Sequence, residues 1–280
     1  MTKKPTVSNP LIYCIGDSHA SFFAGADRIQ PNWPTEVDCY LPLFKVLKIG
    51  SSLAYSLSVE GSRTRGREQL FEVLETSVPQ GAHVMLIFGE IDCRAHVLKQ
   101  AARRSVPVSV VVEELVQNYF SVVEEVVALG YEVIVYNAIP SRIKAPTKSR
   151  QDPDYIAIGS CLERNAAAKL FNQRLAEHCS EKGIRFLDIF DALVHRNGIT
   201  NTWYYFDTIH LSQRAMPILL NRLSEILSEL ELPKQKVLVP SPYRRLADRL
   251  CKRIRRLLKI KPPLRAHRHS IKRSVATYSP

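Results

Sequence analysis

Leu11-Ile12-Tyr13-Cys14-Ile15-Gly16-Asp17-Ser18-His19 decides how this chain is read: five largely apolar residues stop at a glycine, and three polar residues follow at once. A short apolar run closed by a turn residue is the pattern of a buried parallel strand. The shape recurs at Val84 to Phe88 before Gly89, at Val133 to Tyr136 before Asn137, and at Ile184 to Leu187. Val37 to Leu41, with Cys39 and Tyr40 inside it, is a weaker fifth candidate. Between these runs, residues 112–129, 161–182 and 213–230 carry helical periodicity. Strands alternating with helices predict an α/β domain whose parallel sheet is covered on both faces. In such sheets ligands bind outside the carboxyl ends of the strands, so the loops after Ile15, Phe88 and Tyr136 are expected to line the site.

The chain of 280 residues, 45% hydrophobic, is long enough to bury one sizeable core. Its longest apolar runs fall far short of the roughly 20 residues that cross a bilayer. Asp17 and His19 interrupt the first apolar stretch, so no signal peptide is expected. Six scattered cysteines without a C-x-x-C pair suggest neither a zinc cage nor a stapled scaffold, and fit a reducing cytoplasm. The histidines show no ligand spacing, so neither a metal nor another cofactor is expected.

The net charge of +12 belongs to one end. Residues 1–240 hold 26 basic and 26 acidic side chains, whereas residues 241–280 hold 13 basic ones and Asp248 alone. The expected organisation is therefore an N-terminal extension over residues 1–9, a domain over 10–232 and a basic tail over 233–280. Pro233, Pro240 and Pro242 mark the boundary. Within the tail, Leu246, Leu250, Ile254 and Leu257 recur at helical spacing among arginines, predicting a basic amphipathic helix near 243–260. Such a helix suits an anionic membrane surface or an acidic protein partner, in keeping with a cytoplasmic or peripheral membrane location. Tyr243 and Tyr278 are the tail's only aromatic residues, which argues against nucleic acid. Pro262 and Pro263 stop this helix, and the remainder to Pro280 is expected to be disordered.

Ser18 falls on a strand-to-helix turn, where a hydroxyl is exposed and its own N–H points into the same space. A nucleophile that attacks a carbonyl needs both. Far along the chain, Asp207 and His210 stand three residues apart before the last helical stretch, a spacing that lets a carboxylate fix an imidazole tautomer. The plainer readings are that Ser18 caps a helix, that His210 is a capping or core histidine, and that Glu90 and Asp92 only cap or salt-bridge their segment.

A G-D-S near the start with a D-x-x-H near the end of an α/β domain resembles the SGNH hydrolases, or GDSL-like esterases, over roughly residues 10–230. The resemblance implies a three-layer flavodoxin-like fold and hydrolysis of an ester, commonly an acyl or acetyl group on a lipid or carbohydrate. It makes Ser18 the nucleophile, His210 the general base and Asp207 its orienter, and it points to Gly50, in Lys48-Ile49-Gly50-Ser51-Ser52, for an oxyanion N–H. The third family block, G-x-N-D, is met by Gly89-Glu90-Ile91-Asp92, with Ile91 where an asparagine donor normally stands. Loss of one such donor costs about a hundredfold to a thousandfold in rate. Arg94, two residues on, is the candidate to stabilise an oxyanion or hold an acidic substrate group, with Glu90 and Asp92 beside it. The block resembles a divergent bacterial branch found with surface-polysaccharide biosynthesis proteins, which implies a glycan-linked substrate. A weakened domain that binds a glycan or a biosynthetic partner, and an acyltransferase using the same triad, are the competing readings.

Overall fold

A computed structural model of the chain describes residues 10–143, 156–230, 232, 235–239 and 274–278. Five parallel strands, β1 Ile12–Gly16, β2 Phe44–Lys48, β3 His83–Ile87, β4 Glu132–Tyr136 and β5 Arg185–Leu187, form one sheet in the order β2-β1-β3-β4-β5. Alternate residues serve the two faces, as strand geometry requires. Tyr13, Ile15, Val84, Leu86, Val133 and Val135 face a cluster built with α1 Gly66–Ser77, α2 Val97–Arg104, α3 Val108–Ala128 and α4 Cys161–Glu181. Ile12, Cys14, Met85, Ile87, Ile134 and Tyr136 face the other cluster, under a 3-10 helix at Ser18–Ala24 and α5 Met216–Ile226. The expected three-layer α/β fold with a central parallel sheet is what the chain adopts.

The fifth strand is not where the apolar run suggested. Residues 37–41 are loop, bending at Tyr40 and Leu41, and the strand is Phe44–Lys48. Lys45 and Lys48 mask it in the sequence, but it is a sheet edge, where one exposed lysine blunts the open hydrogen-bonding side. Val37 and Cys39 instead pack sideways on the apolar cluster without joining the sheet.

Beyond residue 232, where the sequence marks the end of the compact domain, β6 Gln235–Val239 pairs antiparallel with β7 Ser274–Tyr278. Val237 is fully buried and joins the cluster that holds α5. Neither strand was expected, and β7 corrects the expectation of disorder for its stretch: residues 274–278 find their partner in a segment about forty residues earlier in the chain. The helix expected near 243–260 lies outside the described residues, as does the extension at 1–9. No described helix is long and apolar enough to cross a membrane.

The order of strands places the site. From β1 the chain moves first to β2 on one side and then to β3 on the other, so a crevice opens at the carboxyl ends of β1 and β3. Gly16 closes β1 so near β3 that a Cβ there would stand 2.3 Å from the Ile87 carbonyl oxygen. Gly89 follows β3 with φ +100°, and a Cβ on it would strike the Phe171 ring at 2.7 Å. Both positions therefore need glycine, for close approach and for a left-handed backbone respectively.

Candidate active site

Asp17, not Ser18, caps the 3-10 helix: its Oδ1 accepts from the His19 N–H at 2.7 Å. Ser18 is thereby the helix's first residue, half-buried, with its side chain released from capping. The Ser18 Oγ lies 2.9 Å from His210 Nε2, and His210 Nδ1 donates to Asp207 Oδ2 at 2.8 Å. Asp207 Oδ1 also accepts from the backbone N–H groups of Ile209 and His210, both at 2.7 Å, which tightens the turn that carries the histidine. Burial pushes the Asp207 carboxyl up. The His210 hydrogen bond and charge, with the two backbone donors, more than reverse this and hold it below the usual carboxylate range.

Gly50 follows β2 as Ser18 follows β1. Gly16 pairs in register with Lys48, so Ser18 and Gly50 stand equally far beyond adjacent strand ends. Gly50 has φ +93°, a conformation glycine adopts at little cost.

The third block divides its residues between separate tasks. Glu90, 4% exposed, accepts from His19 Nε2 at 2.9 Å through one oxygen and from Arg94 Nε at 2.8 Å through the other. Burial alone would raise this carboxyl, but Arg94 and His19 hold it far below the usual range. Burial pushes the His19 imidazole down, and Asp17 and Glu90 reverse the effect, so its charged form is favoured. Asp92 points the other way, accepting from the N–H groups of Ala54 at 2.8 Å and Tyr55 at 3.2 Å. It fastens the loop after Gly50 to the third block. Burial pushes its carboxyl up to about 7, against the pull of those two N–H groups.

The structure therefore brings Ser18, His210 and Asp207 together and sets Glu90 against the residue next to the serine. Arg94, the sequence's candidate for the oxyanion, is buried and spends its Nε on Glu90. Ile91 is buried yet belongs to neither apolar cluster among the described residues. The sequence left two contributors unassigned. His19 lies with its ring centroid 5.0 Å from that of His210, and Phe206 stacks on His210 at 5.8 Å and 21°. Their adjacency to Ser18 and Asp207 in the chain was the only available signal. A cavity of about 10 Å³ beside Asp17, His19, Glu90 and Tyr136 is the size of one water molecule. A larger one, about 320 Å³, opens behind Asp92 among Leu53, Tyr55, Val97, Val111 and Leu115, and no triad residue lines it.

Among the described residues no group of three or more His, Cys, Asp or Glu side chains is placed to hold a metal ion. Cys14, Cys39, Cys93, Cys161 and Cys179 are thiols, and burial lifts the Cys93 thiol well above its ordinary value.

The family model for the SGNH domain, described as fused to AT3 domains, matches residues 63–225, more than half of the chain. The chain belongs to the SGNH family. The matched stretch takes in the third block, Asp207 and His210, and begins after Ser18 and Gly50. Membership of the family supports the class expected from the motifs, a hydrolase acting on ester bonds. A search of curated proteins finds no match. Among solved structures, the SGNH chain is similar to a GDSL-like lipase from Bacteroides thetaiotaomicron, at 15% identity over 80% of this chain and 94% of that one, with a TM-score of 0.47. It is also similar to a lipase/acylhydrolase from Enterococcus faecalis, at 16% identity over 80% and 98%, with a TM-score of 0.44.

Proposed function

We propose that this SGNH domain is a serine esterase that removes a short acyl group, acetyl being the simplest, from a carbohydrate or a lipid-linked glycan. The observation that carries the reading is the continuous hydrogen-bonded line from Asp207 through His210 to Ser18, with both links under 3 Å. Asp207 fixes the tautomer with the proton on Nδ1, leaving the Nε2 lone pair to take the serine proton. Ser18 Oγ then attacks the ester carbon, and the oxygen that becomes negative is met by the N–H groups of Ser18 and Gly50. His210 returns its proton to the departing alcohol, and water repeats the sequence on the acyl-serine to release the acid. The same triad would serve transfer of the acyl group to a sugar hydroxyl in place of water.

Ile91 favours a slower catalyst, or a domain that binds its glycan without turning it over, because an isoleucine offers no third donor to the oxyanion. The basic stretch 243–260, outside the described residues, is the feature that supports docking on an anionic membrane or an acidic partner. A fluorophosphonate probe tests the triad directly: it should form one adduct, on Ser18, in the wild type and none in His210→Ala. Absence of the adduct in folded wild-type protein would refute the nucleophile.

A further inference from the structure

His19 takes no part in the steps above, yet its ring is held from the protein interior beside that of the base. Its backbone N–H is tied to Asp17 Oδ1, and its Nε2 is tied to Glu90. Glu90 is in turn anchored by Arg94 four residues on, with both side chains only 5–6% exposed. His210 is hydrogen-bonded at both ring nitrogens, but its orienting partner Asp207 stands on a surface turn with its side chain 42% exposed. What limits the His210 ring in addition is contact with two other rings, His19 and Phe206. Of these, His19 is the one clamped from within the protein.

We infer that His19 is a positioning residue for the catalytic base: an imidazole pinned by Glu90 and Arg94, against whose ring His210 rests so that its Nε2 stays aimed at Ser18. The inference rests on the esterase reading. It also explains why the third block carries Glu90 and Arg94: here that block braces the base. The serine proton goes to His210, whose Nε2 is 2.9 Å from Ser18 Oγ, while His19 Nε2 is bonded to Glu90. Orientation of this kind matters because a displacement of about 1 Å can cost on the order of a hundredfold in rate.

The test uses the full chain with p-nitrophenyl acetate and two variants, His19→Ala, which removes the ring, and His19→Phe, which restores a ring without its nitrogens. We expect His19→Ala to lower kcat by about ten- to a hundredfold with KM changed by less than about twofold, and His19→Phe to regain part of the loss, since its ring fills the contact but is no longer held by Glu90. In proton NMR, the low-field signal of the His210 Nδ1–H on Asp207 should be sharp in the wild type, broadened in His19→Ala and intermediate in His19→Phe. Unchanged kcat in His19→Ala overturns the inference. So does a His19→Phe as slow as His19→Ala, which would assign His19 a role through its proton or charge. A wild type with no turnover would refute the esterase reading instead, and the NMR signal would still decide whether His19 orders His210.

Discussion

Ser18 Oγ and His210 Nε2 stand 2.9 Å apart although 192 positions separate them in the chain. The first strand delivers one and the turn before the last helix delivers the other, both at the carboxyl edge of the sheet.

Asp207→Asn should test the orienting carboxylate. An asparagine can present its N–H₂ to Nδ1 and so favour the wrong tautomer, which in a buried serine-protease triad drops kcat about ten-thousandfold. Asp207 is half in water and His210 has ring contacts, so a smaller loss is expected, about a hundredfold to a thousandfold, read as kcat on p-nitrophenyl acetate. An unchanged rate would remove Asp207 from the mechanism.

Ile91→Asn should restore the family's third oxyanion donor. A donor of this kind is worth about a hundredfold to a thousandfold, so kcat should rise by about tenfold or more even if the new amide is imperfectly aimed. A folded variant with no gain would show that position 91 does not face the oxyanion.

Asp92 should make stability depend on pH. Its carboxyl titrates near 3.8 when unfolded and near 7 when folded, so between these values the unfolded chain gives up a proton that the native state keeps. Native stability is therefore lost as pH rises from about 4 to 7, by up to something on the order of 4 kcal/mol. In urea titrations, Asp92→Asn should gain on the wild type steadily across that window and hold a constant difference above it. Parallel curves would contradict the shift.

Glu90→Ala should be costly through what it leaves behind. Removing the shared carboxylate takes from buried Arg94 and His19 the anion that both bond, and breaking a buried pair in this way typically costs about 3–5 kcal/mol. The urea midpoint should fall accordingly. A change below about 1 kcal/mol would mean that the network is solvated.

Much of this was legible in the sequence. Four of the five sheet strands show as apolar runs because parallel strands are buried on both faces. The pairing of Ser18 with His210 and Asp207 was legible because each sits where a strand or turn aims it at the crevice. β2 was misplaced because an edge strand tolerates Lys45, whereas Val37 to Leu41 has strand composition without a strand's partners. α1 escaped notice because its buried stripe is only Leu70, Val73 and Leu74, and it starts after Arg65 in a left-handed conformation. The roles of Glu90 and Arg94 were not readable, because a carboxylate 71 residues from His19 gives no local sign of its partner. β6 and β7 pair across a long basic stretch, a non-local contact that periodicity does not report.

The most direct test of the central claim is turnover of p-nitrophenyl acetate by the wild type, Ser18→Ala and His210→Ala at matched folding. The account predicts hydrolysis by the wild type and loss of nearly all of it in both variants. Turnover that survives in Ser18→Ala, or a folded wild type inactive on every ester offered, would contradict it.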